Sequence, residues 1–362
     1  MKEFFTIDDF KLTGSAVLLR TDINSPIDPT SGRILNDARI RRHVRTINDL
    51  KDSKVVILAH QSRPGKADFT TTKPHAKRMS YLLRKRVKYV DGLYNSGTMK
   101  CIESMSNGDV ILLENVRFYA EEMVMKNQPV EKQGNTLFVR TLAPHFDYFI
   151  QDAFATAHRS QPSMVGFPQV LPTMAGRVME REMTMLDRLL QSKLDSKIAI
   201  LGGVKVDDSI GITRHFLDKK IMSNILTTGA VAVVFLLAKG IDVGSGSVDI
   251  VAKDVDDLQV QISRAKELLE KYGDRISIPT DVAVNADGER VGMPIEKLPS
   301  EYPIYDIGLD TLVEYSSQIE KAGAAVLNGP PGVFEIADFS LGTKEIFKAL
   351  ANTSGFSVIG GG

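Results

Sequence analysis

Short runs of consecutive apolar residues recur along the whole chain, and a polar stretch follows each of them. Continuous apolar runs without polar alternation are typical of strands that are buried on both faces of a parallel sheet. Helical patterns lie between them, for example at residues 38–52 and 258–273. This alternation predicts an α/β fold with two Rossmann-like parallel sheets. The strands are predicted at residues 15–20, 54–60, 109–115, 147–153, 197–203, 225–229, 275–284, 324–329 and 356–362.

The chain has 362 residues, which is longer than a domain with a single hydrophobic core usually is, so two domains are expected. Residues 154–176 contain three prolines and no strong strand, and residues 178–194 have the pattern of one long amphipathic helix. We therefore predict a first domain at 1–175, an interdomain helix at 176–194 and a second domain at 195–362, with a hinge between the two domains.

Charge and composition exclude several classes of protein. Lysine plus arginine equals aspartate plus glutamate at 45 each, which argues against a dedicated nucleic-acid-binding protein. The basic stretch 77–88 could be an RNA-binding patch, but a solvated helix face followed by a short strand explains it better. One cysteine excludes an internal disulfide, and the acidic start and short apolar runs do not resemble a signal peptide or a membrane span. A cytoplasmic protein is expected.

Polar side chains follow each predicted strand of the first half. Because the carboxyl ends of parallel strands meet at one edge of a sheet, these side chains are expected to share a cleft. Taken singly, such an arginine is more often part of a surface ion pair than of a binding site. Their recurrence at four strand ends favours a site for an anion, since guanidinium groups bind carboxylates and phosphates with two hydrogen bonds. The set is Asp22, Asn24, Arg39, His60, Arg63, Arg117, His158 and Arg159.

Glycine-rich turns follow the predicted strands of the second half. In residues 202–208 the glycines allow backbone N–H groups to approach a phosphate, and Lys205 adds a positive charge. In residues 328–335, Asn328 offers an amide to a phosphate and Glu335 an acceptor to a ribose. Residues 227–235 could wall an apolar base pocket, and a third glycine run stands at 360–362. Neither a Walker A motif nor GxGxxG is present. Packing glycines would explain each turn singly, but together they predict a nucleotide site.

An anion site in one domain, a nucleotide site in the other and a hinge between them suit phosphoryl transfer. Catalysis of that reaction consists mainly of positioning, neutralisation of charge and exclusion of water.

Seven ordered motifs resemble those of the phosphoglycerate kinase family, and the resemblance extends from the first strand to the last residue. The motifs are RTDINSP, HQSRPG, LLENVRF, DAFATAHR, LGGVKV, NGPPGVFE and GGG. The resemblance implies reversible phosphoryl exchange between 1,3-bisphosphoglycerate with ADP and 3-phosphoglycerate with ATP, with Mg²⁺ as cofactor. It also implies a monomer or homodimer that binds neither nucleic acid nor a membrane.

The resemblance also implies roles for individual residues. Arg39 and Lys205 are expected to be catalytic, with Arg39 neutralising the migrating phosphoryl group. The phosphoglycerate is expected to contact Asp22, Asn24, Arg39, His60, Arg63, Arg117 and Arg159. The nucleotide is expected to contact Lys205, Asn328, Glu335, Gly360, Gly361 and Gly362.

The chain departs from the family pattern at two places. Ser209 stands where many members carry a second lysine. The segments HQSRPG and GVKVDDS resemble those of archaeal members, so this change is expected to be shared by that lineage. The family also continues beyond the triglycine, so the Mg²⁺ ligand and a segment returning to the first domain are expected to lie outside these 362 residues. A non-catalytic phosphoglycerate-binding relative therefore stays open as an alternative. A nicotinamide dehydrogenase does not fit, because its glycine fingerprint is missing.

Overall fold

The computed structural model describes residues 4–191 and 196–360. The chain divides after Leu186 into two compact units, Met1–Leu186 (unit 1) and Asp187–Gly362 (unit 2). The boundary lies within a helix, so the domain limits 1–175, 176–194 and 195–362 stay a prediction.

Unit 1 is built on a six-stranded parallel sheet in the order β3-β4-β2-β1-β5-β6. Its strands are β1 (Ala16–Arg20), β2 (Lys54–Leu58), β3 (Val87–Val90), β4 (Val110–Leu113), β5 (Tyr148–Gln151) and β6 (Thr173–Ala175). Its helices are α1 (Ala38–Asp49), α2 (Lys73–Leu83), α3 (Ser96–Glu103), α4 (Ala120–Val124), α5 (Val130–Gly134), α6 (Leu137–Leu142) and most of α7 (Arg177–Gln191).

Both faces of this sheet are buried, which explains the continuous apolar strands. Neighbouring residues of a strand point to opposite faces. Val17 and Leu19 of β1 belong to a core cluster with Ile40 of α1 and Met79 of α2. Leu18, between them, belongs to a second cluster that includes residues of α3 and α6. Successive positions in the middle of β1 therefore need apolar side chains.

Unit 2 contains a five-stranded parallel sheet in the order β14-β13-β7-β8-β9 and a three-stranded antiparallel sheet in the order β11-β10-β12. The strands are β7 (Lys197–Leu201), β8 (Asn224–Thr227), β9 (Ile276–Ser277), β10 (Asp281–Ala286), β11 (Glu289–Pro294), β12 (Ile304–Ile307), β13 (Ala324–Asn328) and β14 (Phe356–Gly360). The helices are α8 (Val206–Asp218), α9 (Gly229–Ala238), α10 (Ser245–Ala252), α11 (Leu258–Tyr272), α12 (Leu309–Lys321) and α13 (Leu341–Asn352).

The parallel sheet of unit 2 is also covered on both faces. Ala199 and Leu201 of β7 pack in a cluster with apolar residues of α8, α9 and α11. Ile198 and Ile200 pack in another cluster with apolar residues of α12 and α13. The prediction of an α/β fold with two parallel sheets is confirmed.

The structure corrects the sequence prediction at several elements. The strand predicted at 275–284 is two strands in different sheets, β9 and β10, separated by a segment that contains Pro279, which lacks an N–H group for a ladder. Residues 154–176, for which no strong strand was predicted, contain β6. The hairpin strand β11 escaped prediction because it is mostly exposed and lacks the continuous apolar run of a buried strand. The predicted helix at 178–194 corresponds to α7, and residues 192–194 lie outside the described part.

Within residues 4–191 and 196–360, none of the helices combines the length and the apolar character that crossing a membrane requires.

Candidate active site

The polar residues predicted in the first half lie at the carboxyl edge of the six-stranded sheet. They follow β1, β2, β4 and β5, which are consecutive neighbours in a parallel sheet. Arg39 lies in the first turn of α1, and its Nη1 donates to the Asp22 carboxylate at 2.7 Å. The Arg39 side chain is 46% exposed, so its other N–H groups can reach a ligand.

His60 is buried within a group of arginines. Burial lowers the pKa of His60 well below 6.5, and the positive charges of Arg20, Arg117, Arg159 and Arg39 lower it further. A neutral imidazole thus lies within a field of four guanidinium groups. Such a concentration of like charge is unfavourable in a partly buried site, and an anionic ligand would relieve it.

Arg20, the last residue of β1, was missed by the sequence reasoning. Its side chain is buried; Nε donates to Ser163 Oγ at 3.0 Å, and Nη2 lies 3.3 Å from His60 Nδ1. Ser163 Oγ donates in turn to the buried carboxyl of Glu122 at 2.6 Å, and burial raises the pKa of Glu122. An arginine at the end of an apolar strand is expected to be buried, and a buried arginine needs polar partners or a ligand. This position in the sequence was the signal that could have identified Arg20.

The other arginines differ in their surroundings. Arg117 is buried and donates to the Ser62 carbonyl, and burial followed by the charges of Arg159 and Arg20 lowers its pKa to about 10. Arg159 is half-buried. Arg63 is exposed, and among the described residues its side chain has no hydrogen bond or ion pair. The structure therefore brings Arg39, Arg117 and Arg159 together near His60, whereas Arg63 extends into solvent.

Two loops of this site are held together by Gln61. Its Oε1 accepts from Ser25 N at 3.0 Å, and its Nε2 donates to the Ser25 carbonyl at 3.0 Å. Asn24 Oδ1 accepts from Ser62 N at 2.8 Å, so its carbonyl supports the loop while its amide nitrogen can still donate. These bonds fix the segments after β1 and β2 relative to each other. Nothing in the residue pattern around Gln61 pointed to this role.

We expect unit 1 to lose stability when the pH falls below about 6.5. His75 is buried, its Nε2 lies 3.1 Å from Gln61 Oε1, and burial lowers its pKa to about 4. As the pH falls through about 6.5, His75 binds a proton in the unfolded chain but not in the native state. The unfolding free energy therefore decreases, by about 2 kcal/mol at pH 5. The lowered pKa of His60 acts in the same direction.

Urea unfolding at pH 7.5 and pH 5.0 tests this effect. The loss of unfolding free energy should be smaller in His75→Gln than in the unchanged protein by about 2 kcal/mol. The control is His158→Gln, because the His158 ring is exposed. Equal losses in His75→Gln and in the unchanged protein would show that His75 titrates normally.

The glycine turns of the second half meet at the carboxyl edge of the five-stranded sheet. Gly202 N donates to the Asn328 carbonyl and Gly203 N to the Pro330 carbonyl, both at 2.9 Å. Gly203 and Gly329 have φ angles of 72° and 83°, which favour glycine. The turns after β7 and β13 therefore form one continuous backbone surface.

Two cavities adjoin these turns. One of about 880 Å³ is bordered by Gly202, Gly203, Lys205, Asn328 and Gly360. The other, of about 610 Å³, is bordered largely by apolar residues of α9, β12 and the turn after β13, and Glu335 lies at it. Gly203, Val204, Pro330 and Phe334 border both cavities. The first cavity combines the polar groups of Lys205 and Asn328 with apolar walls, and the second is largely apolar. Together they suit the phosphate and base ends of a nucleotide.

Lys205 is exposed and immediately precedes α8, whose first turn contains Asp207 and Asp208. Ser209 is buried, and its Oγ has no hydrogen-bond partner among the described residues. Gly361 and Gly362, predicted to contact the nucleotide, lie outside the described residues. The described part of the chain has no group of three histidine, cysteine or acidic residues that could hold a metal ion.

The sequence and the fold are similar to those of known proteins. The family model described as phosphoglycerate kinase matches residues 7–362. Phosphoglycerate kinase from Thermoplasma volcanium is 48% identical over 362 residues, which cover 100% of this chain and 88% of the relative. Phosphoglycerate kinase 2 from Methanosarcina acetivorans is 51% identical, with 100% and 86% covered.

Among solved structures, the crystal structure of phosphoglycerate kinase from Pyrococcus horikoshii OT3 is similar with a TM-score of 0.90 and 41% identity. The match covers 99% of this chain and 88% of that one. The family model and the named relatives each span nearly all of the sequence, and the solved structure has the same fold. The chain therefore belongs to the phosphoglycerate kinase family.

Proposed function

We propose that the two units divide the substrates of the family reaction, with the phosphoglycerate at unit 1 and the nucleotide at unit 2. The reaction is reversible phosphoryl transfer between 1,3-bisphosphoglycerate with ADP and 3-phosphoglycerate with ATP. Family membership and the named relatives make the chain a kinase of this kind, and no finding favours a non-catalytic relative. The observation that carries the division is the arginine group around His60 in unit 1 and the paired cavities in unit 2.

In unit 1, the carboxylate and phosphate of 3-phosphoglycerate would be bound by the arginines. The support is electrostatic: after burial, the charges of Arg159 and Arg20 lower the pKa of Arg117, and a bound anion would oppose that effect. Asn24 and His60 would add hydrogen bonds, and Asp22 would hold Arg39 by its ion pair. Arg39 would neutralise the migrating phosphoryl group, because most of its N–H groups are unused and its side chain is half exposed.

In unit 2, the phosphates of ATP or ADP would lie against Lys205 and Asn328 in the cavity of about 880 Å³. The base would occupy the apolar cavity of about 610 Å³, and Glu335 would accept hydrogen bonds from the ribose. Gly360, Gly361 and Gly362 are proposed to add backbone N–H groups to the phosphate site. The turn N–H groups and the α8 N-terminus suit phosphate oxygens.

Mg²⁺ is proposed to arrive as part of the nucleotide substrate. Mg²⁺ keeps several waters and binds through phosphates plus one or two carboxylates, so a set of three protein ligands is not required. Asp207 and Asp208 border the phosphate cavity and suit such outer contacts. We further propose that the protein acts in the cytoplasm as a monomer or homodimer, since its substrates and single cysteine fit that compartment.

The test of the function is a coupled assay with the purified protein. ATP-dependent turnover of 3-phosphoglycerate, read by reduction of the acyl phosphate product, is expected. Binding of ADP and 3-phosphoglycerate without turnover would favour the non-catalytic alternative instead.

Arg63→Ala is expected to weaken binding of 3-phosphoglycerate by about 1–3 kcal/mol, the scale of a charged hydrogen bond. Arg63 lies in the loop after β2 with an exposed guanidinium, so a ligand can engage it without breaking an internal bond. Isothermal titration calorimetry measures the change. Lys66→Ala, which removes another exposed cation of the same loop, is the control. An affinity of Arg63→Ala equal to that of the control would remove Arg63 from the site.

A further inference from the structure

Asp152 is fully buried at the end of β5, and its carboxylate joins two helices. Its Oδ1 accepts from the backbone N–H groups of Val178 at 2.8 Å and Met179 at 3.3 Å, in the first turn of α7. Its Oδ2 accepts from Thr46 Oγ1 on α1 at 2.8 Å. A carboxylate at a helix N-terminus satisfies N–H groups that the helix itself leaves unpaired.

Glycine at position 176 makes this contact possible. A Cβ atom there would lie 2.3 Å from Asp152 Oδ1, closer than any real contact. The start of α7 is therefore packed directly on the carboxylate. The contact between Asp152 and the start of α7 therefore depends on glycine at position 176.

His43 of α1 links this carboxylate to the proposed substrate site. Its Nδ1 lies 2.7 Å from Asp152 Oδ2, and its Nε2 lies 3.0 Å from the carbonyl oxygen and 3.2 Å from the N–H nitrogen of Asp22. Because a carboxylate only accepts hydrogen bonds, Nδ1 carries a proton. Nε2 then accepts from the Asp22 N–H group in the neutral ring or donates to the Asp22 carbonyl in the charged ring. In both states the ring holds the backbone of Asp22.

Asp22 is thus held from two sides by one helix. Arg39 and His43 are four residues apart on α1, so they lie on the same face. Arg39 binds the Asp22 side chain at 2.7 Å, while His43 binds the Asp22 backbone. The position of Asp22 determines where the Arg39 guanidinium is held, and His43 determines the position of Asp22.

We propose that His43 and Asp152 are positioning residues of phosphoryl transfer, which hold the Asp22–Arg39 pair in register with the first turn of α7. The proposal rests on the function assigned above to Arg39. Both ring nitrogens of His43 and both carboxylate oxygens of Asp152 are bound within the protein, so neither side chain is assigned a contact with the ligand. Their effect on the reaction passes through Arg39. Displacement of a catalytic group by about 1 Å can cost about 100-fold in rate.

The variant that isolates the proposed contact is His43→Asn. The asparagine amide occupies the place of Nδ1 and keeps the bond to Asp152, but it does not reach Asp22. We expect kcat to fall about 10- to 100-fold with little change in KM for 3-phosphoglycerate. Thr46→Ala is the matched control, because Thr46 contacts Asp152 but not Asp22. It should unfold more easily and keep its kcat.

A double-mutant cycle with Arg39→Ala separates positioning from general destabilisation. If His43 acts through Arg39, His43→Asn should have little further effect on kcat in the Arg39→Ala protein. The full effect of His43→Asn in that background, or an equal fall in kcat in Thr46→Ala, would overturn the proposal. An unchanged kcat in His43→Asn would also overturn it. An unchanged kcat in Arg39→Ala itself would instead contradict the function assigned to Arg39.

Should His43→Asn fail to fold, His43→Gln provides the complementary measurement. The glutamine amide occupies the place of Nε2, keeps the bond to Asp22 and gives up the bond to Asp152. A fall in kcat smaller than in His43→Asn is expected, because the contact with Asp22 survives but has lost its support from Asp152. A fall as large as the one predicted for His43→Asn would show that the Asp22 contact is not what matters.

Discussion

Arg39→Ala is expected to lower kcat and kcat/KM together by about 10³-fold, with little change in KM for 3-phosphoglycerate. The reason is the state of Arg39 in the structure. One N–H group is bound to Asp22, and the half-exposed guanidinium keeps the others for charge that develops during the transfer. Loss of an interaction that is made only in the transition state lowers kcat without changing ground-state affinity.

Steady-state kinetics with both substrates varied measures this effect. Arg41→Ala is the matched control, because Arg41 lies two positions further along α1, is exposed and pairs with Asp37 instead. It should leave kcat nearly unchanged. A variant of Arg39 that raised KM and kept kcat would assign the residue to ordinary binding of the ground state.

Gly329→Ala is expected to displace the two backbone turns that form the proposed nucleotide site. A Cβ atom at position 329 would lie 2.4 Å from Gly202 O and 2.9 Å from Gly203 N, and both are backbone atoms of the facing turn. The φ angle of 83° is itself unfavourable for alanine. Because neither turn can yield without breaking its own hydrogen bonds, we expect a loss of about 2–5 kcal/mol in the unfolding free energy.

The same substitution should weaken ADP binding by about 100-fold. Displacing the turns removes one or two charge-assisted hydrogen bonds to phosphate, each contributing about 1.5–3 kcal/mol. Calorimetry with ADP and thermal unfolding measure the two effects. The control is Gly273→Ala, since a Cβ atom there meets nothing within 4 Å and the φ angle is −49°. If Gly329→Ala bound ADP as the control does, the phosphates would have to lie away from this turn.

The sequence determined which residues stand at the carboxyl edges of the two parallel sheets. The apolar strand pattern requires burial on both faces, and only helices on each side of a parallel sheet provide that burial. Once the strands are parallel, the residues after β1, β2, β4 and β5 must share one edge. The place of Asp22, His60 and Arg117 followed from this rule, as did that of Lys205 and Asn328.

Local pattern could not predict the antiparallel sheet of unit 2. Its strand β11 is mostly exposed and lacks the continuous apolar run of a buried strand, and the strand predicted at 275–284 combined β9 with β10. The assignment of those two segments to different sheets depends on pairing with β8 and β12, which are distant in sequence. Strand pairing of this kind is a property of the assembled core.

Only the tertiary structure decided which polar groups are buried together. The bond between His43 and Asp152 joins residues 109 positions apart, and the bond between Arg20 and Ser163 joins residues 143 positions apart. In the sequence, His43, Asp152 and Ser163 each resemble an ordinary polar residue, and only Arg20 gave a signal, by its place at the end of an apolar run. Their energies depend on desolvation and on partners supplied by other elements, which a linear pattern does not contain. The sequence therefore determined which residues stand at the edge of the sheet. Packing decided the lowered pKa of His60, the hydrogen-bond partners of the Asp152 and Glu122 carboxyl groups, and the exposure of each arginine.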